Sequence, residues 1–133
     1  MLTVLFASQK GGVGKTLIAT SLATALAMRG YRTWLIDLDP SATASRALGV
    51  GNTANTSGAL TYLMGLARTI RVSTAVIEDG VVGNIKIIPP GNSPITNPYN
   101  ALPSTPVLTS RLSSLIRGIG NYRVRPNFVI IDT

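Results

Sequence analysis

Gln9-Lys10-Gly11-Gly12-Val13-Gly14-Lys15-Thr16 stands between an apolar run, Leu2 to Ala7, and a helix-patterned run from Lys15 to Arg29. The general phosphate-loop pattern is G-x-x-x-x-G-K-[ST]. Gly14, Lys15 and Thr16 fit its end, while its first glycine falls on Gln9. The chemistry survives that mismatch. Gly11, Gly12 and Gly14 lack a Cβ, so the backbone can curl and aim successive N–H groups at an anion. The helix that follows adds unpaired N–H groups and the positive end of its dipole. Lys15 can reach the β- and γ-phosphates of a nucleotide, and the Thr16 hydroxyl can bind Mg²⁺. A ligand-free glycine turn is the plainer alternative. The ordered succession of strand, loop, lysine pair, threonine and helix argues against it.

Working outward, Leu2 to Ala7 reads as a strand buried on both faces of a parallel sheet. In the helix after the loop, Ile18, Leu22, Ala25 and Leu26 recur at helical spacing. Ala19, Ala23 and Ala27 allow close packing on the sheet, Arg29 suits the helix end, and Gly30 is a natural stop. Thr33 to Asp37 reads as the second strand, which implies a right-handed parallel crossover. Residues 43–49 suit one or two helical turns ending at Gly49, and Ala59 to Ala67 another helix. Val72 to Ile77 fits strand or helix, and Asp79-Gly80 marks a turn. Ile85 to Ile88 is a short strand stopped by Pro89-Pro90. Gly91 to Pro106 is a long irregular connection. Leu108 to Gly120 is amphipathic, and Phe128 to Asp132 reads as a final buried strand.

With 133 residues the chain reads as a single domain, 1–133. It contains no cysteine and no histidine, which excludes disulfides, thiolate metal sites and the usual general base. No apolar run approaches the roughly 18 residues of a membrane span, and no basic segment precedes the first apolar run, so neither a transmembrane segment nor a signal peptide is expected. The net charge of +7 suits nucleic acid, an acidic membrane surface, or simply a solvated surface with few acids. The five acids are more telling. Glu78 and Asp79 precede Gly80 and read as turn residues. Asp37, Asp39 and Asp132 stand at the ends of apolar strand-like runs. Ligands bind beyond the carboxyl ends of strands in open α/β sheets, where a nucleotide's Mg²⁺ wants carboxylates. Asp37 and Asp39 share a side if the extended geometry persists; a helix cap plus a turn acid is the bland alternative for this pair.

Lys10 is a second lysine ahead of the glycines. The string K-G-G-V-G-K-T, Lys10 to Thr16, resembles the deviant Walker A loop of the ParA/MinD family of P-loop ATPases. D-L-D-P at Asp37 to Pro40 and F-V-I-I-D-T at Phe128 to Thr133 resemble the same family. Gln9 and Asp39-Pro40 favour its ParA-like branch over MinD, and the lack of cysteine argues against a nitrogenase iron protein. Three departures stand out. Leu17 replaces a second Thr or Ser, Ser41 to Ser45 lacks the usual Gln and Asn, and the chain stops at the Walker B strand, where the family's fold is half complete.

The resemblance implies an α/β fold: a doubly wound parallel sheet of P-loop NTPase type, truncated after the Walker B strand. Gly11, Gly12, Val13, Gly14, Lys15, Thr16 and Leu17 would bind the nucleotide. Thr16, Asp37 and Asp132 would organise Mg²⁺, with Asp37 supporting either the metal shell or its loop. Asp39 would position water, and Lys10 would reach the partner subunit's ATP. The implied protein is a cytoplasmic, nucleoid-associated ATPase that forms a homodimer on ATP binding, contacts nonspecific DNA and answers to a ParB-like partner. The second reading is a truncated nucleotide-binding or interaction module that modulates a full-length relative without hydrolysing ATP.

Overall fold

A computed structural model describes residues 1–7, 13–52, 57–76, 84–92 and 103–133. The elements run β1 (Leu2–Phe6), α1 (Val13–Met28), β2 (Thr33–Asp37), α2 (Thr43–Ala47), α3 (Ala59–Leu63), β3 (Ser73–Val76), β4 (Asn84–Ile88), α4 (Thr105–Gly120) and β5 (Phe128–Asp132). They build one five-stranded sheet in the order β1-β5-β2-β4-β3. All neighbours are parallel except β3, which pairs antiparallel with β4. Ser73–Val76 is therefore strand within the ambiguous stretch, of which Ile77 lies outside the described residues.

Helices cover both faces, as a doubly wound sheet requires. On one face Ala19, Ala23 and Ala27 of α1 meet Leu35, Ile85, Ile87 and Ile130. On the other, Leu63 of α3 and Leu115 and Ile119 of α4 meet Trp34, Ile36, Ile88, Val129 and Ile131. Each strand thus sends alternate side chains to opposite cores. The alanine stripe is the buried face of α1, and all three alanines are fully buried. With no side chain beyond Cβ, they let the helix axis approach the sheet closely. We expect Ala23→Leu to cost about 3 kcal/mol through overpacking. The melting temperature should fall by on the order of 10 °C; thermal unfolding followed by circular dichroism checks this.

Two sequence expectations need correction. Ile18 is 57% exposed, so it lies outside the buried stripe of α1, and Ala25 is exposed as well. β1 is not buried on both faces: Leu2 is 58% and Leu5 54% exposed. The reason is topological. β5 inserts between β1 and β2, so among the described residues β1 stands at the edge of the sheet. The crossover helix α1 lies mainly over β2, β4 and β5, and of β1 Phe6 reaches that core.

Helix ends follow local chemistry. Gly30 adopts φ +87°. Its N–H donates to the Ala27 carbonyl at 2.9 Å and that of Tyr31 to Leu26 at 3.1 Å. This is a Schellman stop, which needs a left-handed residue that glycine supplies without strain. Gly49 closes α2 in the same way, with bonds from Gly49 to Arg46 and from Val50 to Ser45. The helix expected from Ala59 to Ala67 ends at Leu63. α4 starts at Thr105, with Pro106 inside its first turn rather than in the preceding connection. Proline fits there because its missing N–H would have no helical partner.

Candidate functional site

Parallel pairing brings the strand ends level. Asp132 of β5 lies in register with Phe6 of β1 on one side and Asp37 of β2 on the other. Two carboxylates therefore sit side by side at the carboxyl edge, both fully buried. α1 begins above this edge, and its first turn carries Gly14, Lys15 and Thr16. The buried Thr16 hydroxyl donates to Asp132 Oδ2 at 3.0 Å, joining residues 116 positions apart. Asp132 Oδ1 is buried and has no hydrogen-bond partner among the described residues. A buried carboxylate oxygen without a partner costs free energy unless a cation or donor meets it.

Burial pushes the Asp132 carboxyl above the usual aspartate range. The Thr16 hydroxyl and the Lys15 charge pull it back down, while the charge of Asp39 adds to the rise. Asp37 is likewise pushed up, chiefly by burial and slightly by the charge of Asp132. Its hydrogen bonds oppose the shift: Oδ1 accepts the Asp39 N–H at 3.0 Å, and Oδ2 accepts the Ser45 N–H at 3.0 Å and hydroxyl at 2.7 Å. Asp37 thus ties the start of α2 to the end of β2. Ser45 is the partner that sequence reading missed. Its only signal was a small polar residue eight positions beyond Asp37, in a run read as lacking the family's polar side chains.

Asp39 is half-buried, and its Oδ1 accepts the Ser41 N–H at 3.0 Å. The next turn holds Ala42 at φ 55°, a left-handed conformation that a residue with a Cβ rarely adopts. Leu17 is 61% exposed, in contrast to the buried Thr16 beside it. Val13 opens α1. Lys10, Gly11 and Gly12 lie outside the described residues, so the loop's early lysine and first glycines have no place in this geometry.

The donor set fits Mg²⁺: a hydroxyl and a carboxylate, both hard oxygen ligands, with one carboxylate oxygen unpartnered. Among the described residues no group of three or more His, Cys, Asp or Glu side chains could hold a metal alone. That too suits Mg²⁺, which is commonly bound by one or two protein oxygens together with substrate phosphates. No helix among the described residues is long and apolar enough to cross a membrane.

The fold and motifs have known counterparts. The chromosome partitioning protein ParA of Caulobacter vibrioides is 48% identical over 64 residues, which are 48% of this chain and 24% of that protein. The structure of pNOB8 ParA bound to nonspecific DNA superposes with a TM-score of 0.64 at 19% identity, covering 99% of this chain and 46% of that one. Cobyrinic acid a,c-diamide synthase from Mycobacterium smegmatis, solved with bound ADP and magnesium, gives a TM-score of 0.67 at 24% identity, covering 98% of this chain and 50% of that one. The chain thus spans half or less of the length of each relative. The profile of the CobQ/CobB/MinD/ParA nucleotide-binding domain matches residues 4–131. Nearly the whole chain, with its level pair of aspartates facing the first turn of α1, belongs to that family of P-loop nucleotide-binding domains.

Proposed function

We propose that this chain is the nucleotide-binding part of a ParA-like ATPase that binds Mg-ATP and dimerises on it in plasmid or chromosome partitioning. The observation that carries the reading is the buried Thr16–Asp132 pair, with its unpartnered carboxylate oxygen and the Lys15 charge acting on it from the first turn of α1. The first turn of α1 and the loop of Gly11, Gly12 and Gly14 offer backbone N–H groups to phosphate oxygens. Lys15 offsets their charge. Thr16 and Asp132 hold Mg²⁺, which would neutralise charge on the phosphates.

Asp39 has one carboxylate oxygen engaged with Ser41 and keeps the other for a water. Asp37 holds the loop that carries Asp39, so we assign it a positioning role rather than that of a direct ligand. Lys10 reaches the partner subunit's nucleotide, as the resemblance to ParA-like loops implies. Nonspecific DNA, a ParB-like protein and association with the nucleoid complete the proposal. The DNA-bound pNOB8 ParA supports the first of these.

Asp39→Ala is expected to retain Mg-ATP affinity within about threefold and to lower turnover at least a hundredfold, the scale of losing a positioned water. Phosphate release beside nucleotide titration checks it, and normal turnover in the variant would move the water-orienting role elsewhere. The exposed Leu2 and Leu5 of β1 and Leu17 and Ile18 of α1 favour a second reading. There the chain is a nucleotide-binding module that docks on a full-length relative and does not hydrolyse ATP. Turnover by the isolated chain separates the two.

A further inference from the structure

The sheet's amino-terminal end, opposite the carboxyl edge, carries a different chemistry. A pocket of about 450 Å³ opens where α1 enters β2, where β4 begins and where α4 leads into β5. Tyr31, Trp34 and Tyr122 line it together with Arg32, Lys86 and Arg123. Trp34 and Tyr122 meet edge to face with ring centroids 4.9 Å apart. Trp34 is buried, whereas Tyr31 is 45% and Tyr122 49% exposed, so two rings stand open at the mouth.

The walls are anchored. The Arg32 N–H donates to Asn127 Oδ1 at 2.9 Å, and the Asn127 N–H donates back to the Arg32 carbonyl at 2.8 Å. The Arg32 side chain donates through Nε to the Arg125 carbonyl at 2.6 Å. Lys86 Nζ bonds Thr74 Oγ1, a neutral hydroxyl. No described carboxylate pairs with any of these three cations. Asp37, Asp39 and Asp132 lie toward the other end of the strands: Asp37 is five residues, roughly 16 Å, beyond Arg32 and three residues, roughly 10 Å, beyond Trp34, the register partner of Lys86. Glu78 and Asp79 fall in the β3–β4 connection, outside the described residues.

Cations near the C-terminal ends of α1 and α4 also complement the helix dipoles. That role does not require open aromatic rings between them. Phosphate-binding cations interleaved with aromatic faces are the means by which single-stranded nucleic acids are held without sequence preference. We propose that this pocket binds a single-stranded nucleic acid, with an unstacked base against the open Tyr122 ring, whose edge-to-face partner Trp34 lies beneath it, and neighbouring phosphates on Arg32, Lys86 and Arg123. The site is separate from the nucleotide site and does not depend on that assignment.

Trp34 is the sole tryptophan, so it reports on the pocket directly. Binding of a fluorescein-labelled oligothymidylate, followed by anisotropy between 50 and 200 mM salt, tests the proposal. Unlabelled oligomer should change Trp34 emission over the same concentration range. Arg123→Ala should weaken binding about three- to tenfold and reduce the slope of log affinity against log salt by about 0.7. Tyr122→Leu should weaken it at least fivefold with the slope unchanged, the mark of lost stacking. Lys15→Ala should leave the oligomer affinity unchanged, which keeps this test distinct from the nucleotide reading.

Silent Trp34 emission, or an unaltered affinity and slope in Arg123→Ala, would overturn the proposal. So would a duplex of equal length binding as tightly as the single strand, which would reduce the effect to general surface charge. Thymidine monophosphate competing as well as the oligomer would also overturn it, in favour of a mononucleotide pocket. Arg123 is exposed, so its substitution leaves the fold intact even if Tyr122→Leu disturbs Trp34.

Discussion

Lys15→Ala is expected to lower the affinity for a fluorescent ATP analogue with Mg²⁺ at least a hundredfold. Lys15 sits in the first turn of α1, half-buried. A charge-assisted contact to phosphate is worth about 1.5–3 kcal/mol. Partial exclusion of water raises the Coulomb part further, and each 1.4 kcal/mol is tenfold in affinity. A second effect has the same sign. The Lys15 charge holds down the Asp132 carboxyl against its burial. Removing it favours the protonated acid, which is the poorer Mg²⁺ ligand. The variant should therefore lose both phosphate and metal contacts while its circular dichroism remains that of the parent. Undiminished analogue affinity would mean that the nucleotide binds elsewhere. If the parent chain itself fails to bind while folded and monodisperse, the site needs contributions from outside these residues.

Much of this site was legible because its chemistry is local in sequence. Gly14, Lys15 and Thr16 are contiguous, and Thr33 to Asp37 reads as a strand over the same residues in the structure. Asp132 was legible because it ends an unbroken apolar run. The contacts that complete the site are not local. The Thr16–Asp132 bond spans 116 residues, and the family resemblance, not the local pattern of either segment, brought the two together. Ser45 was read as an absence of family side chains, yet it supplies two of the three hydrogen bonds to Asp37.

That the exposed strand is β1 does not show in its own residues, for another reason. A continuous apolar run shows that a strand can be buried, but burial depends on which strands flank it. Here β5, more than a hundred residues downstream, takes the inner position and leaves β1 at the edge. The alanine stripe of α1 was read correctly as the close-packing face. Ile18 misleads because size and apolarity outrank fit in a periodicity argument. Close approach to a flat sheet selects the small residues instead.

Asp132→Asn is expected to separate stability from cation binding and to move them in opposite directions. Burial raises the Asp132 carboxyl above 3.8, the ordinary aspartate value. For an acid raised in the folded state, the proton-linked stability is complete below the unfolded value. It is lost as pH climbs through the folded one. Above that folded value the carboxylate is ionised and buried beside Asp37, so in the absence of a cation it opposes folding. The neutral amide removes that penalty, and its oxygen can still accept the Thr16 hydroxyl. Without nucleotide, the variant's melting temperature should rise by about 3 °C at a pH above the folded value, the shift of roughly 1 kcal/mol in a chain of this size. The gain should shrink as pH falls toward the ordinary aspartate value, where the parent carboxyl becomes protonated as well. Mg-ATP should reverse the order. Ligand at a hundredfold excess over its dissociation constant stabilises the parent by about 2.7 kcal/mol, and most of that shift should vanish in the variant, which offers no carboxylate to the cation. Thermal melts at several pH values, with and without Mg-ATP, read both effects. A variant less stable than the parent above the folded value would mean that Asp132 Oδ1 already has a polar partner. An undiminished Mg-ATP shift would take the cation away from Asp132.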